Sequence, residues 1–222
     1  MRDKKVLEMT MIAMFVAIIA IMSFVPFLGF ITVGIAAITI IHIPVILGGI
    51  IGGRRVAIVL ATVFGVFSMI RAFMTPDGLN VFFQNPLVSV LPRLLFGVAL
   101  YYIYLGVHKV LPRQKESAEE TSEISKKVVK HTRELVALGI TFGLSSLVHS
   151  MLVLPVLFAF ASGTTVMINT FEGVDPDALS FIWIVMGANG FLEAVLAVVI
   201  GAPVAWRVRA FYESQIQAFD QE

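Results

Sequence analysis

Of the sixteen lysines and arginines in this chain, fourteen fall in four clusters at alternate ends of a series of long apolar runs. Arg2, Lys4 and Lys5 lie in the N-terminal tail, Arg54 and Arg55 form a pair, seven lie between Lys109 and Arg133, and Arg207 and Arg209 close the set. Basic residues accumulate on the cytoplasmic side of membrane helices, so this spacing specifies a chain that crosses a bilayer back and forth. Asp77, Glu172, Asp175 and Asp177 then fall on the outer side. Composition agrees: at 58% hydrophobic and 14% charged residues, with a mean hydropathy of +0.93, 222 residues are too apolar for a water-soluble domain. The runs are long enough for helices across a hydrocarbon core of about 30 Å and lack the alternation of outer-membrane strands.

The pattern predicts one all-α integral membrane domain over residues 1–222 with six transmembrane helices and both termini cytoplasmic. The spans are expected near residues 6–25, 35–51, 56–73, 85–111, 134–161 and 179–206. A basic tail before an apolar run is also how a signal peptide begins, but this run is long and no small-x-small cleavage site follows it, so it reads as a retained first helix. Between Pro112 and Arg133 the mixture of Lys, Glu and Ser reads as a solvated loop or an amphipathic lead-in. Cysteine is absent, which removes disulfides and thiolate metal sites, and no cofactor or metal is expected in the chain.

Two arginines remain outside the topological pattern. Arg71 lies near the outer end of the third span, where its stem can snorkel. Arg93 sits deep inside the fourth, and a cation at that depth costs at least a few kcal/mol unless it is paired. Asn85, Ser89 and Arg93 recur at spacings of four, a polar stripe on a helix, with Pro86 and Pro92 loosening the backbone beside it. Counted inward at about 1.5 Å per residue, His42, Arg93, Asn189 and His149 lie roughly 10–16 Å below the outer surface. Ser145 lies one turn below His149, and Glu193 one turn below Asn189. Polar residues at one level on four helices describe an outward-facing pocket, with Trp183 at its rim.

Each of these residues also has a purely structural explanation. His42 and His149 can satisfy one another or a carbonyl, Asn189 can bridge helices, Arg93 and Glu193 can be a buried ion pair, and Trp183 can be an interfacial anchor. Asn80, Gln84 and Asn85 suit turns and caps.

The missing motifs narrow the class. GGIIGGRR at Gly48 to Arg55 lacks the lysine of a phosphate loop, so its glycines read as small-xxx-small packing, Gly48 with Gly52 and Gly49 with Gly53. No metalloprotease, nucleophile-elbow or paired-aspartate signature occurs, and the chain is not expected to be an enzyme. Glu193 could carry a proton in an ion-coupled secondary transporter, yet no two halves with matching broken helices are visible. A small bundle with one external pocket and no energy-converting motif suggests a binding subunit.

The order of six short spans, Ala13-Met-Phe-Val-Ala17 in the first helix, and VLPRLLFG at Val90 to Gly97 resemble the substrate-binding S components of energy-coupling factor vitamin transporters. ITIIHIPVILGGIIGG at Ile38 to Gly53 is most similar to the pantothenate branch, with folate and other vitamin branches as alternatives. The resemblance implies a bacterial plasma-membrane protein that takes a vitamin from outside and works with a membrane coupling subunit and two cytoplasmic ATPases. It also implies that Ala13 and Ala17, extended by Ala20, pack on the coupling subunit. From the residues alone, packing within the bundle explains those alanines equally well. For pantothenate, Arg93 would clamp the carboxylate, and His42, His149, Asn189 and Asn85, with Ser89 and Glu193, would serve the amide and hydroxyls.

Overall fold

Helix α1 runs Arg2–Phe24 and buries Met11, Phe15 and Ile19, a stripe at four-residue spacing, against the bundle. The computed structural model describes residues 2–25, 27–33, 36–111, 123–171 and 176–219, so Glu172, Asp175 and the first part of the charged connection lie outside the described residues. The following elements are α2 (His42–Met74), a 3-10 turn (Gly78–Gln84), α3 (Pro86–Ser89), α4 (Leu91–Val110), α5 (Glu123–Ala161) and α6 (Thr165–Thr170). A last helical stretch comprises α7 (Ala178–Val185), α8 (Phe191–Leu196) and α9 (Ala202–Phe219), joined through π-helical turns at Met186–Gly190 and Ala197–Gly201. Among the described residues, five helical segments are long and apolar enough to cross a membrane.

Two departures from the sequence expectation are instructive. Residues 35–51 were expected to be one helix, but only the part from His42 onward is helical. Before it, β1 (Phe30–Val33) and β2 (Ala36–Thr39) form a small antiparallel hairpin with Phe30 opposite Thr39. An apolar run of this kind does not distinguish a strand from a helix by periodicity, and here cross-strand pairing wins.

The second departure is in α2, whose 33 residues would extend about 50 Å if straight, more than a bilayer core. It is not straight. Gly53 has φ 77° and ψ −167°, a backbone region open essentially to glycine alone, and the halves on either side fold against each other. Gly48 packs on Leu60 and Gly49 on Ala57, pairs that an unbroken helix would hold roughly 12–18 Å apart. Gly48, Gly49 and Gly52 therefore line a close helix-helix seam, while Gly53, expected to pack with Gly49, makes the turn instead.

α2 packs most heavily on α1 and α4, and α4 on α5. The charged lead-in before residue 134 is helical from Glu123, extending α5 to 39 residues.

Candidate functional site

A cavity of about 640 Å³ opens where the β1–β2 hairpin, the C-terminal half of α2, the 3-10 turn, α4, α5 and α8 converge. Its volume lies within the roughly 300–1,000 Å³ typical of small-molecule sites.

Arg93 reaches this cavity from the first turn of α4 and is only 3% exposed. Local sequence explains its pose. Pro92 has no N–H to give to the carbonyl four residues back, and the Arg93 guanidinium takes that carbonyl through Nη1–H to Val88 O at 2.8 Å. Its charge lies 4.8 Å from the Phe83 ring centre and 5.5 Å from that of Phe64, so aromatic faces supply part of the solvation that water would give. Nε makes no hydrogen bond within the protein. The fork is thus oriented and still has donors to offer.

Glu193 enters from α8. Its Oε1 accepts the Thr39 backbone N–H at 2.6 Å and its Oε2 accepts the Ser150 hydroxyl at 3.0 Å. The carboxylate thereby caps an edge N–H of the hairpin and joins it to α5. The direct ion pair with Arg93 weighed from the sequence does not form, because each group is drawn to other partners.

His149 lines the cavity on α5, one residue before Ser150, and its ring is held among three others. It stacks on His42 at 5.5 Å with planes 12° apart, and meets Phe64 at 5.6 Å and Phe96 at 5.1 Å. His42 sits behind it as the first residue of α2, fully buried and away from the cavity wall. Neither histidine satisfies a ring nitrogen with a hydrogen bond inside the protein, nor do the hydroxyls of Ser145 and Ser146. Buried polar atoms are seldom left this way in native proteins.

Asn189 lines the cavity from the first π-helical turn, one helical turn before Glu193. Such turns re-aim side chains and recur at functional sites.

Besides His42, three more sequence candidates are placed elsewhere. Asn85 lies before α3 rather than within a helix and caps it, its Oδ1 accepting Leu87 N–H at 2.9 Å. Ser89 is buried and donates to the Asn85 carbonyl at 3.1 Å, so the expected polar stripe is divided between a cap, a packing hydroxyl and Arg93. Trp183 is 66% exposed and does not line the cavity.

The position of Arg71 suits snorkelling, but the structure turns it into the cavity. It donates to the Ser23 carbonyl at the end of α1 at 2.9 Å and covers the Phe30 ring at 4.4 Å, tying α1 and β1 to α2. The stripe Phe64, Ser68 and Arg71, at helical spacing, was the signal available for it. Thr39 and Ser150 carried no comparable signal.

On the outer surface of α1, Ala13 and Ala17 are exposed and Ala20 is half-buried, opposite the Met11, Phe15 and Ile19 stripe. The alternative that these alanines pack inside the bundle does not hold for Ala13 and Ala17.

The family model described as "ECF transporter, substrate-specific component" matches residues 7–205. The pantothenate transporter PanT of Leuconostoc mesenteroides subsp. mesenteroides is 25% identical over 210 residues, covering 92% of this chain and 93% of that protein.

Proposed function

Because the chain belongs to the family of ECF transporter substrate-specific components, we propose that its cavity binds a vitamin with high affinity and that the vitamin is pantothenate. The observation that carries this reading is the meeting of one buried, oriented guanidinium, the imidazole of His149 with no hydrogen bond inside the protein, further polar side chains and an apolar wall in a single cavity. Pantothenate has one carboxylate, one amide and two hydroxyls around a gem-dimethyl centre. Arg93 suits the carboxylate, since a guanidinium binds carboxylates through two parallel donors. His149, Asn189, Ser150 and Glu193 suit the amide and hydroxyls. Val153, Leu154 and Leu157 provide the apolar side. The similarity to a pantothenate transporter along nearly the whole chain supports the same substrate.

In this reading the two halves of α2 are separate passes and the last helical stretch is the sixth, with both termini in the bacterial cytoplasm, a placement the positions of the basic clusters support. Ala13 and Ala17 present a small-residue face to a membrane coupling subunit, and ATP hydrolysis belongs to partner ATPases. Calorimetry of the purified chain against a panel of vitamins tests the substrate. Pantothenate is expected to bind tightly and folate not at all. Binding of another vitamin alone would replace the substrate, and ATPase-independent uptake would favour an ion-coupled transporter through Glu193.

A further inference from the structure

On the outside of the bundle, α5 and the last helical stretch leave a second groove of about 670 Å³. Among the described residues, its lining is made of aliphatic residues, proline and glycine. Gly139 and Gly143 form its floor, and a Cβ at either would meet only Val198 across the groove, at 3.6 and 3.2 Å. From Leu135 to Leu147 the α5 wall is about 18 Å long, close to the roughly 15 Å depth of one leaflet of a bilayer core.

The groove's end differs in chemistry from its length. One turn beyond Leu135 on α5 stands His131, and one turn beyond Ala202 on α9 stands Trp206; their rings meet edge to face at 5.4 Å. The exposed Arg207 lies with its guanidinium 4.6 Å from the Trp206 ring centre. Arg209 has protein partners in Tyr104 and Glu134, whereas Arg207 has no acid within salt-bridge distance among the described residues. An apolar channel of leaflet depth thus terminates in a tryptophan and a cation on the side where the chain's basic residues gather.

We propose that this groove seats an acyl chain of an anionic phospholipid whose headgroup phosphate is held by Arg207 beside Trp206. Charge complementarity selects this occupant. An apolar partner helix would fill the channel but offer the guanidinium nothing, whereas a phosphate accepts its paired donors and a tryptophan is at home at headgroup level. The groove lies on α5 and the last helices and the alanine face lies on α1, so lipid and coupling subunit need not compete. The inference is independent of which vitamin is bound.

Native mass spectrometry of the full chain, released from mixed micelles containing dioleoyl-phosphatidylglycerol or dioleoyl-phosphatidylcholine, tests this directly. The wild-type chain should retain phosphatidylglycerol preferentially. Arg207→Gln should reduce that preference about fivefold, the effect expected of one basic residue at an anionic surface, while Arg207→Lys keeps most of it. Gly139→Leu should lower retention of both lipids by filling the channel. Vitamin binding by each variant verifies its fold. Equal retention of the two lipids by wild type, or an undiminished preference in Arg207→Gln, overturns the proposal. So does a Gly139→Leu chain that keeps its lipid but loses the coupling subunit, which would make the groove a protein-docking face.

Discussion

The carboxylate of Glu193 accepts the backbone N–H of Thr39 across 154 positions of sequence, and through this contact the last membrane helix holds the hairpin that forms one wall of the cavity. The same carboxylate takes the Ser150 hydroxyl, so one side chain joins three elements. Glu193→Ala orphans a buried backbone donor and a buried hydroxyl, each costing about 1–3 kcal/mol. Thermal unfolding in detergent should show a clear loss of stability, smaller for Glu193→Gln, which keeps one acceptor oxygen. An unchanged melting temperature for the alanine variant would mean that the hairpin is held in place by other contacts.

Arg93→Ala should weaken vitamin binding by at least about 30-fold, the cost of removing one partner from a buried charge-assisted contact, while leaving a folded protein. Arg93→Lys should recover little, because an ammonium cannot reproduce the planar fork. Calorimetry paired with a melting curve separates the outcomes: normal affinity in the alanine variant removes the carboxylate clamp, and loss of folding instead assigns Arg93 to packing.

Ala13→Trp and Ala17→Trp place bulk on the outer face of α1, away from the cavity. Vitamin affinity of the isolated chain should stay within about twofold, while copurification with the coupling subunit and ATP-dependent uptake should be lost, since close approach drives helix association in lipid. Persistent uptake without assembly would remove the energy-coupled reading.

Gly53→Ala tests the reversal within α2. No atom stands within 4 Å of a Cβ added there, so the penalty is purely conformational, about 1–3 kcal/mol for this region of backbone space. A variant as stable as wild type would show that the turn tolerates an ordinary residue.

The exposed Asp177 caps α7, accepting the Ser180 N–H at 2.9 Å and its hydroxyl at 2.8 Å. These donors hold its carboxyl below the usual carboxylate range. A depressed folded-state value means the cap contributes fully above the unfolded value of about 3.9 and is lost as pH falls through the folded one. Asp177→Ala should therefore lower the melting temperature at neutral pH, and the difference should shrink below about pH 4. A deficit that is the same at both pH values would place the effect in packing rather than in the charge.

The sequence by itself determined the solvent, the helical class and the level at which polar side chains gather. Composition, the alternating basic clusters and helical periodicity are one-dimensional signals, and bilayer thickness converts position along a helix into depth. Arg93, His149, Asn189 and Glu193 share the cavity because depth was legible and depth brought them to one level. What tertiary structure alone decided is which way each residue faces and what it meets there. Residues 30–33 and 36–39 became strands because each segment satisfied the other's backbone, and Arg71 turned inward because the Ser23 carbonyl and the Phe30 ring receive it. Asn85 left the polar stripe to serve as a cap, and Gly53 left the glycine seam to reverse the chain. In each case the deciding partner lies on another element or in the backbone itself, and local hydrophobic pattern carries no record of such partners.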